Sequence, residues 1–324
     1  MENLVSIIIP VYNEEKNIEN CLKAVRRQTY PKVEVIVVDN GSTDASSKIA
    51  KDYADKVIFE ERKGVYFAYN SALKVVQGEL IAITDADCVP DEKWVEELVR
   101  CFSDLEVGSA GGPNITPSSA TNFEKYVGIL LGFLSKSVGS KYISDIKDII
   151  ETFHNPECNV MYRKSILDNA GGWNDHLLTA GDEEIDFRIR AKGYKILYTP
   201  YAKVYHNRKS DWKSFIRQIY SYAIGRIQFI KSYPHIAVVQ WPRFMPSFFI
   251  LFGLIFFIIG LFESLFLKIL LCGTFIGIIV LFSIAIYLAF KSKRRGFSIY
   301  LLLLFFTFWV YGIGFIRGIW YRQR

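Results

Sequence analysis

The chain has 324 residues, of which 51% are hydrophobic and 15% aromatic, and its formal net charge at neutral pH is +6. This composition excludes a disordered chain, which is poor in apolar residues, and a disulfide scaffold, which is rich in cysteine. The charge is unevenly spread, with −8 in residues 1–202, +7 in residues 203–243 and +7 in residues 244–324. Basic segments beside apolar ones are typical of contact with a membrane surface, so we expect a membrane partner and no nucleic acid.

The first hundred residues alternate short apolar runs with amphipathic segments, which predicts strands alternating with helices. The predicted strands are residues 5–10, 33–38, 57–59 and 80–84, and the predicted helices are residues 14–27, 42–53, 64–76 and 91–102. Because the strands are apolar without interruption, we expect a parallel sheet that helices cover on both faces.

Polar clusters follow three of these strands, at the sheet edge where the ligands of such folds bind. The clusters are residues 12–14, 39–44 and 85–87. In the last of them, Asp85 and Asp87 can both approach one cation, and Mg²⁺ and Mn²⁺ prefer such oxygen ligands. A solvated acidic turn has the same pattern, so the triplet alone leaves both interpretations open. The sequence has neither the glycine pattern of dinucleotide-binding folds nor that of P-loops.

A second acidic cluster lies at residues 182–186, with four carboxylates in five positions. Crowded carboxylates repel one another, which raises the pKa of one of them toward the range of a general base. Arg188 and Arg190 follow closely and can equally neutralise the cluster, and acidic residues are also favoured at the start of a helix. The spacing by itself does not decide between a catalytic and a structural role.

The five cysteines are widely spaced and form no paired motif. Their spacing predicts neither a metal site nor a disulfide framework. We therefore expect all five to be small buried residues.

Residues 211–232 repeat apolar side chains at helical spacing, with basic residues on the other faces. This pattern predicts an amphipathic helix at the membrane interface, within a neck of residues 211–243. The alternative is an ordinary surface helix of the preceding domain.

Three uncharged stretches follow the neck, at residues 244–262, 269–290 and 297–316. Each is close to the ~20 residues that a helix needs to cross the hydrocarbon core, so we predict three transmembrane helices, followed by a basic tail at residues 317–324. The neck and the loop at residues 291–295 are basic, which by the positive-inside rule predicts a cytoplasmic location for both. We therefore expect an integral membrane protein whose first domain faces the cytoplasm.

Seven segments, in order along the chain, resemble those of glycosyltransferase family 2. They are residues 5–18, 33–44, 62–73, 80–90, 158–175, 180–196 and 198–207. The resemblance implies an α/β domain over residues 1–210 with the GT-A fold, the Rossmann-like fold of nucleotide-diphospho-sugar transferases. The amphipathic interface helix and the three transmembrane helices would follow it. The implied activity is a metal-dependent, inverting transfer of a sugar from a nucleotide sugar.

The resemblance also implies which residues bind the donor and a cation. The residues expected to bind the nucleotide sugar are Pro10, Tyr12, Glu14, Asp39, Lys63 and Asp85. The expected ligands of Mg²⁺ or Mn²⁺ are Asp87, Asp85 and His206. A lone histidine is more often structural, but His206 ends a matching segment, which favours a functional role.

On the acceptor side, counting back from Arg190 aligns the acidic pair of the family with Glu183 and Glu184. We predict Glu184 as the catalytic base, with Glu183 and Asp182 as alternatives, although the usual base of the family is an aspartate. The residues expected to contact the acceptor are Trp173 and Asn159.

The fused spans favour a lipid-linked acceptor such as a polyprenyl phosphate, because a water-soluble acceptor requires no membrane anchor. The donor is expected to be a UDP- or GDP-sugar, with a lean toward GDP-mannose and N-glycan biosynthesis that rests on membrane-bound members of the family. One alternative is a processive polysaccharide synthase, although the QxxRW motif of such enzymes begins at neither Gln218 nor Gln228. Another is a non-catalytic scaffold that binds nucleotide sugars.

Overall fold

The computed structural model describes residues 3–137, 146–294 and 296–321. Within this part of the chain there are two compact units. The first unit takes in the ranges 1–120, 131–175 and 181–208, and the second takes in 121–130, 176–180 and 209–324. The first unit contains all the predicted donor, cation and base residues.

Eleven strands are described, and all of them belong to the first unit. They are β1 (Val5–Val11), β2 (Val33–Asp39), β3 (Lys56–Phe59), β4 (Leu80–Ile83), β5 (Cys88–Pro90), β6 (Val107–Gly111), β7 (Asn114–Ile115), β8 (Ile150–Glu151), β9 (Val160–Arg163), β10 (Lys195–Tyr198) and β11 (Val204–His206). Eight of them form one sheet in the order β3-β2-β1-β4-β9-β6-β10-β8, and the other three form a small sheet in the order β5-β11-β7.

The half of the large sheet made of β3, β2, β1 and β4 is parallel, as the sequence predicts. Ile7, Ile8 and Ile9 of β1 are all fully buried, although consecutive side chains of a strand point to opposite faces. Both faces of this half are therefore covered, which explains why its strands are apolar throughout.

Two strands of the large sheet run against their neighbours. β9 is antiparallel to β4 and β6, and β8 is antiparallel to β10. The sequence predicts neither of these two strands, and an apolar strand carries no sign of its direction in its composition. The sheet is therefore mixed, and its parallel half comes from the first 83 residues.

Seven helices begin before residue 182. They are α1 (Ile18–Arg26), α2 (Ser46–Tyr53), α3 (Val65–Leu73), α4 (Trp94–Val99), α5 (Asn122–Ser137), α6 (Lys164–Ala170) and α7 (Gly181–Ala191), with 3-10 helices at Arg100–Ser103 and Glu157–Asn159. The helices α1 and α2 begin later than predicted because side chains hold the preceding backbone in loops. Glu14 N donates to Ser46 Oγ (2.8 Å), and Thr43 N donates to Asn13 Oδ1 (2.8 Å). These hydrogen bonds join the loops that follow β1 and β2.

The second unit is helical. Its helices are α8 (Trp212–Ser232), α9 (Met245–Gly260), α10 (Ser264–Lys291) and α11 (Phe297–Gly318), with 3-10 helices at Pro234–Val238 and Trp241–Phe244. The helix predicted at residues 211–232 is confirmed, and it begins where Asp211 Oδ1 accepts a hydrogen bond from Ser214 N (3.0 Å). It packs against α11, where a Cβ at Gly314 would lie 3.0 Å from Ala223 Cβ, so a small residue allows the two helices to approach closely.

Three helical segments of this unit are long and apolar enough to cross a membrane. They are Trp241–Gly260, Ser264–Lys291 and Phe297–Gly318. They match the three predicted spans with shifted ends, and large apolar side chains such as Leu271 and Phe275 are exposed on their surfaces. Of the predicted basic segments, Arg295 and residues 322–324 lie outside the described residues.

Candidate active site

The carboxyl ends of β1, β2 and β4 meet at one edge of the large sheet. β1 pairs in parallel with both neighbours, and its last residue, Val11, lies opposite Asp39. The three polar clusters follow these strand ends, so Tyr12, Asp39 and Asp85 lie at the same edge. The structure thus brings together the clusters that the sequence predicts to meet there.

The loop after β1 offers an accessible surface beside a buried carboxylate. Pro10 is partly exposed and the ring of Tyr12 is exposed, whereas Asp39 is 4% exposed. Asp39 Oδ1 accepts a hydrogen bond at 2.8 Å from the backbone of the loop that follows it. The carboxylate of Glu14 accepts a hydrogen bond from Asn17 Nδ2 (2.6 Å), so Glu14 also braces the start of α1.

Asn40 connects the end of β2 to the segment that precedes α3. Its Nδ2 donates to the carbonyls of Glu60 (3.0 Å) and Arg62 (2.6 Å), and its Oδ1 accepts from Gly64 N (2.8 Å). Gly64 has a φ of 137°, a conformation that suits glycine. The exposed Lys63 belongs to this fixed segment. Sequence reasoning missed Asn40, although its place in an Asp-Asn-Gly-Ser turn was a usable signal.

The pairing of two short strands brings His206 to Asp87. β11 is antiparallel to β5, with His206 opposite Cys88. His206 Nε2 lies 3.4 Å from Asp87 Oδ1, and Asn207 N donates to the carbonyl of Asp87 (3.1 Å). The ligand atoms of Asp85, Asp87, Cys88 and His206 all lie within 4.8 Å of one another. The structure therefore joins the predicted histidine to the acidic triplet.

The oxygen and nitrogen donors of this group suit a divalent cation. Carboxylates are preferred ligands of Mg²⁺, and Mn²⁺ accepts carboxylates together with imidazole. Burial is the largest single effect on the pKa of His206 and lowers it, and Arg208 lowers it further. The charges of Asp87 and Cys158, with the hydrogen bond to Asp87, together outweigh both and raise this pKa to about 10. The negative field that raises this pKa also favours a bound cation.

A buried group of two thiols and a guanidinium lies on the other side of the His206 ring. His206 Nδ1 is 3.5 Å from Cys158 Sγ and 3.0 Å from Arg208 Nη1. A hydrogen bond from Cys88, with His206 and Arg208 nearby, lowers the pKa of Cys158 to about 5 despite its burial.

Four of the five cysteines are buried, as predicted, and Cys272 is exposed. The sequence did not predict that Cys88 and Cys158 meet at His206. Spacing along the chain could not reveal it, because strand pairing brings these residues together.

The helix α7 begins against a tyrosine of α3. Gly181 N donates to Tyr66 Oη (2.6 Å), and a Cβ at Gly181 would overlap the Tyr66 ring, so this position requires glycine. The next three residues, Asp182, Glu183 and Glu184, form the acidic first turn, where the helix dipole favours carboxylates.

Glu184 is bound by an arginine of the same helix. Its Oε1 and Oε2 accept from Arg188 Nε (2.8 Å) and Nη2 (2.7 Å), and the residue is 1% exposed. Arg188 also donates to the carbonyls of Ala170 and Gly172, which join α6 to α7. Both oxygens of Glu184 therefore hold this junction, which does not favour Glu184 as the catalytic base.

Glu157 links the two acidic clusters. Its pKa is raised well above the usual range, by burial first and then by the charges of Asp182 and Asp85. Its Oε1 is buried and has no hydrogen-bond partner among the described residues. Asp182 is partly exposed and accepts a hydrogen bond from Glu183 N (2.8 Å). Sequence reasoning missed Glu157, a single acidic residue outside any acidic run. Among the acids of the first turn of α7, Asp182 is the one whose charge raises the pKa of Glu157.

Asp186 is the member of the second acidic cluster whose pKa is raised well above the usual range. Burial is the largest cause, the backbone hydrogen bond from Asn155 opposes it, and the charge of Asp182 adds to it. Asn155 N donates to Asp186 Oδ2 at 2.9 Å. Asp186 is completely buried, so its role is structural.

Asn159 was expected to contact the acceptor, and in the structure its side chain serves to hold the backbone. It is fully buried, and its Oδ1 accepts from Trp94 Nε1 (2.7 Å). Its Nδ2 donates to the carbonyls of Pro113 (3.0 Å) and Ala202 (2.8 Å). Since these bonds occupy the whole amide, Asn159 fixes the 3-10 helix to which it belongs.

Trp173 was also expected to line the acceptor site, and in the structure its ring lies in the interior of the first unit. It is 2% exposed, and its ring packs against Tyr69 and Tyr162 with centroid distances of 5.0 and 5.7 Å. The main chain of Trp173 exchanges two hydrogen bonds with the side-chain amide of Asn70. The indole is therefore part of an aromatic core.

The family model described as Glycosyl transferase family 2 matches residues 6–171, just over half of the chain. The chain belongs to glycosyltransferase family 2. The matched range runs from β1 through the Asp85–Asp87 edge to α6, so the family assignment covers the three polar clusters at that edge.

Curated relatives of this family 2 chain extend the similarity. Glycosyltransferase AglE of Haloferax volcanii is 32% identical over 205 residues, which are 60% of this chain and 64% of that protein. The probable glycosyltransferase YdaM of Bacillus subtilis is 30% identical over 237 residues, 68% of this chain and 54% of that protein. The chain thus spans less than two thirds of the length of either.

A third relative, from Methanococcus voltae, is named as a dolichyl N-acetyl-alpha-D-glucosaminyl phosphate 3-beta-D-2,3-diacetamido-2,3-dideoxy-beta-D-glucuronosyltransferase. It is 27% identical over 238 residues, 69% of this chain and 73% of that protein.

Among solved structures, the mannosyltransferase PcManGT from Pyrobaculum calidifontis, in complex with GDP-Man and Mn²⁺, matches with a TM-score of 0.56. The match has 22% sequence identity and covers 72% of this chain and 64% of that one. This similarity concerns the fold, and it confirms the GT-A fold that the seven segments of the family 2 chain predict.

Proposed function

We propose that the protein is an inverting glycosyltransferase that moves a sugar from a UDP- or GDP-sugar to a lipid-linked acceptor at the cytoplasmic face of a membrane. The observation that carries this proposal is the meeting of Asp85, Asp87 and His206 at the carboxyl edge of a GT-A sheet. This edge is where ligands of such sheets bind, and its groups match the charges of a nucleotide sugar.

The donor would lie along this edge. Tyr12 and Pro10 offer an accessible surface for the nucleotide base, and Asp39 supplies a carboxylate at the end of β2. Lys63, exposed on the segment that Asn40 fixes, supplies a positive charge for the diphosphate. The GDP-Man in the solved structure of the same fold supports a nucleotide-sugar donor and agrees with the lean toward GDP-mannose.

Asp87 and His206, with Asp85 beside them, would hold Mg²⁺ or Mn²⁺. A cation bound there neutralises the charge that develops on the diphosphate leaving group. The carboxylates keep the local charge negative, and the β5–β11 pairing fixes the ring of His206 relative to Asp87. The Mn²⁺ in the related solved structure supports a divalent cation in this fold.

Asp182 is the base that this geometry favours. It stands at the start of α7, partly exposed, and its charge acts on Glu157, as that of Asp85 does, whereas Arg188 binds both oxygens of Glu184. As a base, Asp182 would take the proton of an acceptor hydroxyl while the oxygen attacks the anomeric carbon on the face opposite the diphosphate. Such an attack inverts the anomeric centre. A lipid phosphate acceptor is already anionic and needs no base.

The second unit supports a lipid-linked acceptor. Three helices long and apolar enough to cross a membrane follow the catalytic segments, and residues 203–243 carry a net charge of +7 that attracts anionic headgroups. The dolichyl-linked name of the Methanococcus voltae relative agrees with this acceptor class.

The test is a donor screen on the full chain in lipid nanodiscs with Mn²⁺ or Mg²⁺. Free nucleotide released from UDP- and GDP-sugars would be measured with and without a polyprenyl phosphate. We expect one donor to release nucleotide faster when the lipid is present. Binding of a donor without any release would instead indicate a non-catalytic nucleotide-sugar-binding protein, and would overturn the proposal.

Asp87→Asn is the informative variant in this screen. Removing one carboxylate beside His206 weakens the cation site, so we expect turnover to fall roughly 100-fold or more. Asp52→Asn, an exposed position on α2 away from the edge, is the matched control and should keep the wild-type rate. Wild-type turnover in Asp87→Asn would remove Asp87 from the site.

A further inference from the structure

The proposed glycosyl transfer does not use the sulfur donors of Cys88 and Cys158. Their sulfur atoms and a ring nitrogen of His206 lie within 4.8 Å of one another, and both cysteines are buried. Thiolates and imidazole are the preferred ligands of Zn²⁺ and similar thiophilic cations, whereas Mg²⁺ and Mn²⁺ prefer oxygen. We propose that Cys88, Cys158 and His206 form a second cation site, which binds Zn²⁺ or Cd²⁺.

The distances in this cluster are those of metal ligands. Cys158 Sγ lies 3.5 Å from His206 Nδ1. In a tetrahedral zinc site, Zn–S of about 2.3 Å and Zn–N of about 2.0 Å place a sulfur and a nitrogen ligand about 3.5 Å apart. Cys88 stands opposite His206 across the β5–β11 pair and supplies the third ligand.

The backbone around the cluster is fixed. Cys158 lies in the 3-10 helix that Asn159 holds through its three hydrogen bonds. Cys88 and His206 belong to two hydrogen-bonded strands. A site on such elements is preorganised, so little conformational entropy is lost when a cation binds.

Arg208 opposes cation binding in this cluster. Its Nη1 lies 3.0 Å from His206 Nδ1, so its positive charge stands beside the site. It also donates through Nη2 to the carbonyl of Asn114 (3.0 Å). Two thiolates offset the double charge of the cation, but the guanidinium must release Nδ1 before His206 can ligate through that nitrogen. The site should therefore tighten when this charge is removed.

Occupation of this site would compete with the oxygen-ligated cation, a consequence that rests on the proposed function. The two candidate groups share Cys88 and His206. Nδ1 of the His206 ring faces Cys158 and Nε2 faces Asp87. Two divalent cations held by this one ring would lie only a few ångströms apart and would repel each other, so a cation on Nδ1 weakens the binding of Mn²⁺ beside Asp87.

The binding test uses the full chain in detergent with a non-thiol reductant and the exposed Cys272 replaced by serine. Cd²⁺ is titrated while the ultraviolet thiolate-to-cadmium charge-transfer absorption is recorded. We expect one equivalent to bind, with loss of most of the band in Cys88→Ser and Cys158→Ser. Cys101→Ser, a buried thiol outside the cluster, is the matched control and should keep the band. An absent band, or a full band in both cluster variants, overturns the site.

Two further measurements do not depend on the folding of the cysteine variants. Co²⁺ bound to the chain with both cluster thiols intact should give the visible spectrum of tetrahedral thiolate ligation, and an octahedral spectrum would overturn the site. Arg208→Gln should strengthen Cd²⁺ binding roughly tenfold, because a nearby like charge is removed. Weaker binding in a folded Arg208→Gln protein would contradict the proposed geometry.

The competition is read from the electron paramagnetic resonance of free Mn²⁺. Cd²⁺ should release bound Mn²⁺ from the Cys272→Ser chain but not from Cys158→Ser in the same background. Bound Mn²⁺ that persists while the cadmium band forms would overturn mutual exclusion. A cadmium band with no Mn²⁺ binding under any condition would count against the proposed function and leave the thiolate site standing.

Discussion

Two carboxylates of the first turn of α7 have different surroundings, and their variants should fail in different ways. Asp182 is partly exposed near Glu157, so Asp182→Asn should lower transfer to a hydroxyl acceptor by about 10²–10⁴-fold with little effect on stability. Glu184 is buried against Arg188, so Glu184→Gln should lower the free energy of unfolding by about 2–4 kcal/mol, because a buried charge loses its partner. Initial rates and thermal unfolding of both proteins separate the two effects.

The control for this pair is Glu183→Gln, the neighbour between them in the same turn. Glu183 is partly exposed, and we expect smaller effects on both rate and stability than in either neighbour. A stable Glu184→Gln protein that has lost transfer to a hydroxyl acceptor would return the base to Glu184. A fully active Asp182→Asn protein would remove Asp182 from that role.

At the scale of elements, α8 owes its position to one glycine and one glutamine. Gln228 accepts from Leu178 N (2.8 Å) and donates to the carbonyl of His176 (3.2 Å), and so holds the segment 176–180 on this helix. Gly225 faces the same segment, where an added Cβ would lie 2.7 Å from the carbonyl carbon of Thr179. A flexible side chain could move aside for an added Cβ, but the backbone of Thr179 cannot do so without shifting the whole segment.

Gly225→Ala should therefore destabilise the protein by about 1–3 kcal/mol, the usual cost of overpacking. Gly273→Ala is the matched control on α10, because no atom lies within 4 Å of its added Cβ. The better helix propensity of alanine should leave that variant neutral or slightly more stable. Thermal unfolding in one detergent compares the two, and equal melting temperatures would contradict the close packing at Gly225.

The sequence predicted those helices and strands whose side chains are apolar throughout. It did not predict the contacts between residues that are far apart in the chain. The apolar run of β1 is buried along nearly its whole length, and the uncharged run of α10 is apolar along its whole length. Composition alone is therefore enough to predict a buried strand and a membrane-spanning helix. Strand direction was not predictable, as β9 illustrates, because burial is the same in either direction. The acidic triplet and His206 were found as motifs, but Glu157 and Cys158 became visible only through the folding of distant segments onto one site.

At the scale of the whole molecule, the net charge of +6 is the remainder of an acidic first part, residues 1–202, and two basic segments. The proposed cation site needs negative charge, whereas the proposed contact with anionic lipid needs positive charge. Because the acidic and basic residues lie in different parts of the sequence, one chain can meet both needs. The same basic residues support the proposed orientation, because Lys and Arg accumulate in loops on the cytoplasmic side.

The orientation of the protein in the membrane can be tested with one residue at each end of α10. Ser264 is the first residue of this helix, and Ser292 directly follows its last residue, Lys291. At 1.5 Å per residue its 28 residues span about 42 Å, more than the hydrocarbon core, so the two ends should reach opposite faces. Ser264→Cys and Ser292→Cys keep every charge of the loops. Each is made with Cys272→Ser, since the other four cysteines are buried.

A membrane-impermeant maleimide should label Ser264→Cys in intact cells and Ser292→Cys only after permeabilisation. Labelling of both variants in detergent is the control for reactivity. The proposed orientation follows from Lys291, Lys293 and Arg294 beside Ser292. The opposite end of α10 has one acidic residue, Glu263, just before the helix and one basic residue, Lys268, in its first turns. The reverse labelling pattern would turn the catalytic unit away from the cytoplasm. That result would contradict the proposed cytoplasmic location. It would not bear on the proposed glycosyl transfer at Asp87 and His206, which the donor screen tests separately.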